Sequence, residues 1–138
     1  APDDYRRFCL PHLQQIVEDL HPTGVPVIVF GTGMGSLLEQ LGETGASVVG
    51  IDWRTSLTEA RRRLGPDVAL QGNLDPGCMF MPPDELRRRV GQVLADAGDA
   101  PGHIFNLGHG LLPPTPEENV ALVIEEVHRL TRRDGSQA

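Results

Sequence analysis

The residues best placed to do chemistry are His109 and its neighbours. His109 stands between Gly108 and Gly110, directly after the apolar run His103-Ile104-Phe105-Asn106-Leu107. A strand that ends on one titratable ring in a glycine-flanked turn presents that ring at its C-terminal end, where barrel enzymes gather their substrate contacts. As imidazolium the ring can pair with a carboxylate; as neutral imidazole it can still donate one hydrogen bond. Downstream, Thr115, Pro116 and Glu118 have the spacing of a capping box, which predicts a helix with Thr115 as its cap and Pro116 as its first residue.

A second candidate is the loop in Val27-Ile28-Val29-Phe30-Gly31-Thr32-Gly33-Met34-Gly35-Ser36, followed by Asp52 at the end of the next apolar run. Strand, glycine turn, helix and a later acid are the layout of a nucleotide-binding βαβ unit. The glycines admit a ligand to the backbone, the helix N-terminus offers N–H groups, and the acid takes a ribose hydroxyl. Read this way, the Gly31–Asp52 unit would serve NAD or adenosylmethionine. Against it, Ser36 replaces the third glycine of the dinucleotide pattern, and a tight βα turn explains the same residues.

Other candidates are weaker. Cys9 and Cys78 are far apart and have no partners at metal-ligand spacing, which favours two reduced thiols in a cytoplasmic setting over a disulfide. His12, His21, His103 and His128 show no metal-binding spacing either. All basic residues are Arg, and Arg61-Arg62-Arg63 and Arg87-Arg88-Arg89 read as solvated helix faces. The net charge of −7 argues against a nucleic-acid or anionic-membrane surface. No apolar run approaches bilayer length, and no signal peptide is visible.

The elements that must position these residues follow from periodicity. Tyr5, Phe8, Cys9, Leu13, Ile16, Val17 and Leu20 make one stripe of a helix over 2–20, which Pro11 kinks or divides. Short apolar runs at 25–30, 47–52, 68–72 and 103–107 read as strands. Helical patterns lie between them at Leu37–Leu41, Leu57–Leu64 and, after Pro82-Pro83, Leu86–Ala97. A final helix carries Val120 to Leu130, and the tail from Asp134 is expected to fray. With 39% apolar and 22% charged residues the chain is an ordinary single domain. Four strand–helix units with strands apolar on both faces predict an α/β fold with a parallel sheet, although pattern does not separate an open doubly wound sheet from part of a barrel.

The segments Gln71-Gly72-Asn73-Leu74-Asp75-Pro76 and Asn106-Leu107-Gly108-His109-Gly110 resemble the uroporphyrinogen decarboxylase family, as do Phe30-Gly31-Thr32-Gly33 and Gly50-Ile51-Asp52-Trp53, in one colinear order. The resemblance implies a single (β/α)8 barrel, of which residues 1–138 would be the C-terminal half: about four parallel βα units preceded by a helix. The chain begins without Met, and a partial barrel with open edges is expected to be an inactive fragment on its own. The family removes the four acetate carboxyl groups of uroporphyrinogen III to give coproporphyrinogen III in porphyrin and heme biosynthesis, with neither metal nor organic cofactor, as a homodimer. Its catalytic Asp, its arginines, a Tyr and a hydroxyl residue lie earlier in the family's chain, so no catalytic residue is identified here and none of those roles is moved to Asp52 or Asp75. One site residue carries over by motif, His109, as a substrate contact at the barrel mouth. Asn73, Asn106 and Asp75 are expected to satisfy turn backbone, and Trp53 to serve packing or a dimer surface. Related zinc-dependent methyltransferases place a His-x-Cys pair where this chain has Phe30-Gly31-Thr32, and the missing thiolate argues against zinc.

Overall fold

The fold is known from a computed structural model that describes residues 1–132. Four strands, β1 (Ile28–Val29), β2 (Val48–Gly50), β3 (Ala69–Leu74) and β4 (His103–Leu107), form one parallel sheet in the spatial order β1-β2-β3-β4. The helices are α1 (Pro2–Phe8), α2 (Leu10–Leu20), α3 (Leu38–Gly42), α4 (Leu57–Leu64), α5 (Pro83–Ala97) and α6 (Glu117–Thr131). Each strand pairs with the next in sequence, so the order never reverses. Crossovers of one hand stepping in one direction lay every helix on the same face. A doubly wound sheet needs a reversal. The architecture is therefore a partial barrel-like unit, the choice that pattern left open.

The helix-facing side holds the core. Leu38, Leu41, Val49, Ile51, Leu57, Ala60 and Leu70 form one buried cluster, and Leu74, Cys78, Met79, Leu86, Val90, Leu122 and Val123 another, with Val93 packed against both. On the opposite face Ile28, Phe30 and Ile104 stay roughly half exposed. That alternation is plain along β4, where His103, Phe105 and Leu107 turn toward the helices while Ile104 and Asn106 turn away.

Several boundaries differ from the sequence expectation. The first helix divides at Cys9, with Pro11 in the opening turn of α2, where its missing N–H costs nothing. The predicted strand at 25–30 shrinks to two residues because Pro26 cannot donate to the ladder and β1 lies at the sheet edge. β3 runs on to Leu74, beyond the predicted end at Gly72. The predicted capping box at Thr115 does not form. α6 begins at Glu117 with Pro116 as its cap residue, the Thr115 hydroxyl is buried without a partner, and the Asn119 side chain donates to the carbonyls of Met79 and Met81. Tertiary contact with the turn after β3 thus sets where α6 starts. The expectation for the tail from Asp134 lies outside the described residues.

Candidate functional site

β3 and β4 carry the site. Their register pairs Asn73 with Asn106 and Leu74 with Leu107, and the Gly108 N–H continues the ladder to the Leu74 carbonyl at 2.8 Å. Beyond that bond the chain turns against the end of β2. A Cβ on Gly108 would lie 2.5 Å from the Trp53 nitrogen and 3.1 Å from the Asp52 carbonyl carbon, a contact that backbone cannot relieve. Glycine is required here by close approach. The turn then exposes His109, whose ring stands edge-on to Trp53 at 6.4 Å between centroids and 87° between planes. His109 Nδ1 lies 3.4 Å from the Gly110 carbonyl, a weak contact, and Nε2 has no hydrogen-bond partner among the described residues.

His109 borders a cleft of about 260 Å³ on the open face of the sheet, together with Phe30, Gly50, Gln71 and Asn106. The Phe30 ring covers Gly50, where a Cβ would stand 2.8 Å from the ring carbon Cδ2. Gln71 Oε1 is buried with no hydrogen-bond partner among the described residues. The cleft thus offers an apolar wall and one imidazole, at the C-terminal ends of parallel strands.

Asp52, second in interest by sequence, is a strut. Its side chain is 3% exposed. One oxygen accepts the Gly33 N–H; the other accepts the Arg54 N–H at 2.9 Å, and Arg54 Nη1 reaches the first oxygen at 3.1 Å. The carboxylate ties the loop after β1 to the loop after β2 and is buried away from any ribose. The space beside the glycine loop is about 10 Å³, and the Met34 side chain packs over Gly31, with Cγ 2.6 Å from where a Cβ would be. After Gly33 comes a turn of 3₁₀ helix, Met34–Leu37, before the five-residue α3. The nucleotide- or adenosylmethionine-binding alternative at Gly31–Asp52 therefore does not fit the geometry: its cradle is filled and its acid is buried.

Asn73 and Asn106, expected to satisfy turn backbone, lie within β3 and β4, whereas Asp75 stands in the turn that follows β3. The Asn73 amide donates to the carbonyls of Asp52 (3.0 Å) and Thr55 (2.6 Å), Asp75 accepts the Gly77 N–H at 2.8 Å, and Asn106 Oδ1 accepts the Leu107 N–H. Gly72, with φ +137°, lets β3 press on β2, since a Cβ there would meet the Ile51 carbonyl oxygen at 2.5 Å. In the Arg61–Arg63 run, Arg61 holds the carbonyls of Gly65 and Val68, Arg62 pairs with Glu59, and Arg63 pairs with Glu39. Cys9 is exposed and Cys78 buried, both as free thiols. Among the described residues no three of His, Cys, Asp or Glu gather at a geometry suited to a metal, and no helix is long and apolar enough to cross a membrane.

Sequence reasoning missed Trp53 as a neighbour of His109, and Arg54 altogether. Arg54 places its guanidinium carbon 3.9 Å from the Trp53 ring centroid. No local pattern signals this, because the loop after β2 meets the turn after β4 only in three dimensions.

Parallel βα units whose strand order never reverses define an α/β protein of the barrel type. The uroporphyrinogen decarboxylase (URO-D) family profile matches residues 1–130, and the chain belongs to that family. It is 56% identical over 129 residues to the uroporphyrinogen decarboxylase of Myxococcus xanthus, covering 94% of this chain and 37% of the relative. To that of Sorangium cellulosum it is 51% identical over 130 residues, again covering 37% of the relative. The chain thus spans somewhat more than a third of the length of the curated relatives it matches. A solved methyltransferase from Methanosarcina mazei superposes with a TM-score of 0.80 over 96% of this chain and 38% of that one, at 19% identity, a likeness of fold alone.

Proposed function

We propose that this chain is the C-terminal part of a uroporphyrinogen decarboxylase, a carboxy-lyase, and that residues 1–138 supply about four of the eight βα units of its single barrel domain. The whole protein would convert uroporphyrinogen III to coproporphyrinogen III by removing four acetate carboxyl groups. Each removal requires protonation of a pyrrole ring carbon, a cationic intermediate stabilised by a carboxylate, loss of carbon dioxide, protonation of the side-chain carbon left behind, and release of the ring proton to restore the pyrrole, a net uptake of one proton. The stabilising carboxylate belongs to a part of the barrel outside this chain. The reaction needs neither metal nor organic cofactor, the working form is a cytoplasmic homodimer, and this portion alone has no turnover.

The observation that carries this reading is the placement of His109, exposed on a glycine turn at the strand C-termini and bordering the cleft. There His109 binds and orients substrate, either pairing with a carboxylate as imidazolium or donating one hydrogen bond as neutral imidazole. The test is steady-state kinetics of the full-length protein carrying this segment, following coproporphyrinogen formation. His109→Asn and His109→Ala are expected to lower kcat/KM by about 10- to 100-fold with an unchanged melting temperature, the size of losing one or two charge-assisted hydrogen bonds. Native kcat/KM at native stability would remove His109 from the substrate.

A further inference from the structure

The arginines among the described residues are held in several ways: Arg61 grips backbone carbonyls, Arg87 reaches Glu126 at one point (3.3 Å), and Arg7 lies over the Phe8 ring. Arg6, Arg62, Arg63, Arg88 and Arg129 each close a two-point pair with a glutamate, which uses the guanidinium fork fully. Arg54 differs. Only its Nη1 meets Asp52, at 3.1 Å, and no other protein acceptor among the described residues takes the remaining N–H groups. Yet the side chain is held: its own N–H is bound by Asp52 Oδ1, its plane lies 3.9 Å over Trp53, and it remains half exposed. A guanidinium fixed at one nitrogen and one face, with its Nε–Nη2 edge open, is organised in advance for a carboxylate, because little rotamer entropy remains to be lost on binding.

Arg54 and Trp53 line a groove of about 400 Å³, and Trp53 also stands edge-on to His109, which borders the cleft on the open face of the sheet. The acidic residues of that groove are engaged: Asp75 accepts the Gly77 N–H, and Asp96 accepts the N–H groups of Leu57 and Thr58. Arg89, on the same wall, meets only the neutral Gln92 amide and the Cys78 sulfur. The geometry points to Arg54 as a second carboxylate-binding residue, taking one carboxylate of a polycarboxylate ligand across the Trp53 ring from His109. This deepens the decarboxylase reading and rests on it for the ligand: a tetrapyrrole rimmed with carboxylates can reach both sides of one indole.

The test titrates uroporphyrin, an octacarboxylate porphyrin, into the full-length protein carrying this segment and into its Arg54→Gln, Arg54→Lys and His109→Asn variants, with melting temperatures measured alongside. Arg54→Gln is expected to weaken binding about tenfold, and Arg54→Lys, which keeps charge but loses the fork, by a smaller factor. Native affinity in both Arg54 variants at native melting temperature overturns the assignment; weakening by His109→Asn in the same series would leave the decarboxylase reading standing. If Arg54→Gln unfolds, Arg54→Lys decides alone: weaker binding supports the assignment and native binding overturns it. Failure of the native full-length protein to bind uroporphyrin also overturns it, while the kinetic test of His109 remains an independent measure of the underlying reading.

Discussion

At the scale of single residues, the site depends on two backbones touching. Gly108 allows the turn after β4 to lie on the Asp52–Trp53 peptide, and that contact places His109 edge-on to Trp53. Gly108→Ala forces a methyl to 2.5 Å from a backbone nitrogen, so either the turn or the β2 loop must move. The expected cost is about 1–3 kcal/mol, the usual range for overpacking a tight site. Chemical denaturation would measure it, and in the full-length protein kcat/KM should fall as His109 is displaced. Native stability and native kinetics in Gly108→Ala would show that the approach is not needed. His109 was legible in sequence because a lone titratable residue between two glycines after an apolar run is a local pattern. Trp53 was not, since an indole that packs and an indole that abuts a ligand residue look alike along the chain.

Among the elements, α4 shows how neighbours complete what local sequence begins. Ser56 caps it in the expected way, accepting the Glu59 N–H at 3.1 Å. The carboxylate of Asp96, far away on α5, accepts the N–H groups of Leu57 at 2.6 Å and Thr58 at 3.4 Å, and the Thr58 hydroxyl donates to the Asp96 carbonyl. Two acceptors thus satisfy the free donors of one helix start, and one is an anion at the positive end of the helix dipole. Asp96→Ala should therefore destabilise by about 1–2 kcal/mol, while Asp96→Asn should lose less, because the amide oxygen can still accept. Equal losses in the two variants, measured by urea unfolding, would contradict the charge contribution. The reverse case is α6, where a capping box written in sequence goes unused because Asn119 anchors the helix to the turn after β3.

For the whole molecule, the arginine–glutamate pairs link stability to pH. The hydrogen bond from Arg63 holds the Glu39 carboxyl down at about 2. Glu43, Glu59, Glu85 and Glu126 are lowered in the same direction by hydrogen bonds from Arg6, Arg62, Arg88 and Arg129. A carboxylate whose folded pKa lies below its unfolded value, about 4.3 for Glu, contributes stability that is complete above the unfolded value and is lost as pH falls through the folded one. The melting temperature should hold steady from neutral pH to about 5 and then fall toward about 2. The fall should be shallower in Arg63→Ala, which removes the pair with the lowest carboxyl. Thermal unfolding across this range checks both, and a melting temperature indifferent to pH below about 5 would sink the linkage.

Local order determined the element types: short apolar runs marked the strands, period-3.6 apolar spacing marked the helices α4, α5 and α6, and the turn role of Asp75 followed from a side chain that bonds its own neighbourhood. The motifs also carried the family, because Gly72-Asn73-Leu74-Asp75-Pro76 and Asn106-Leu107-Gly108-His109-Gly110 are contiguous. Tertiary structure alone decided the sense of winding, since strand order is a relation among distant segments. It alone filled the glycine loop with Met34 and spent Asp52 on Gly33 and Arg54, so that an apparent nucleotide site became a strut. And it alone set Arg54, Trp53 and His109 side by side, because β2 and β4 are far apart along the chain and meet only where Gly108 has no side chain to hold them off.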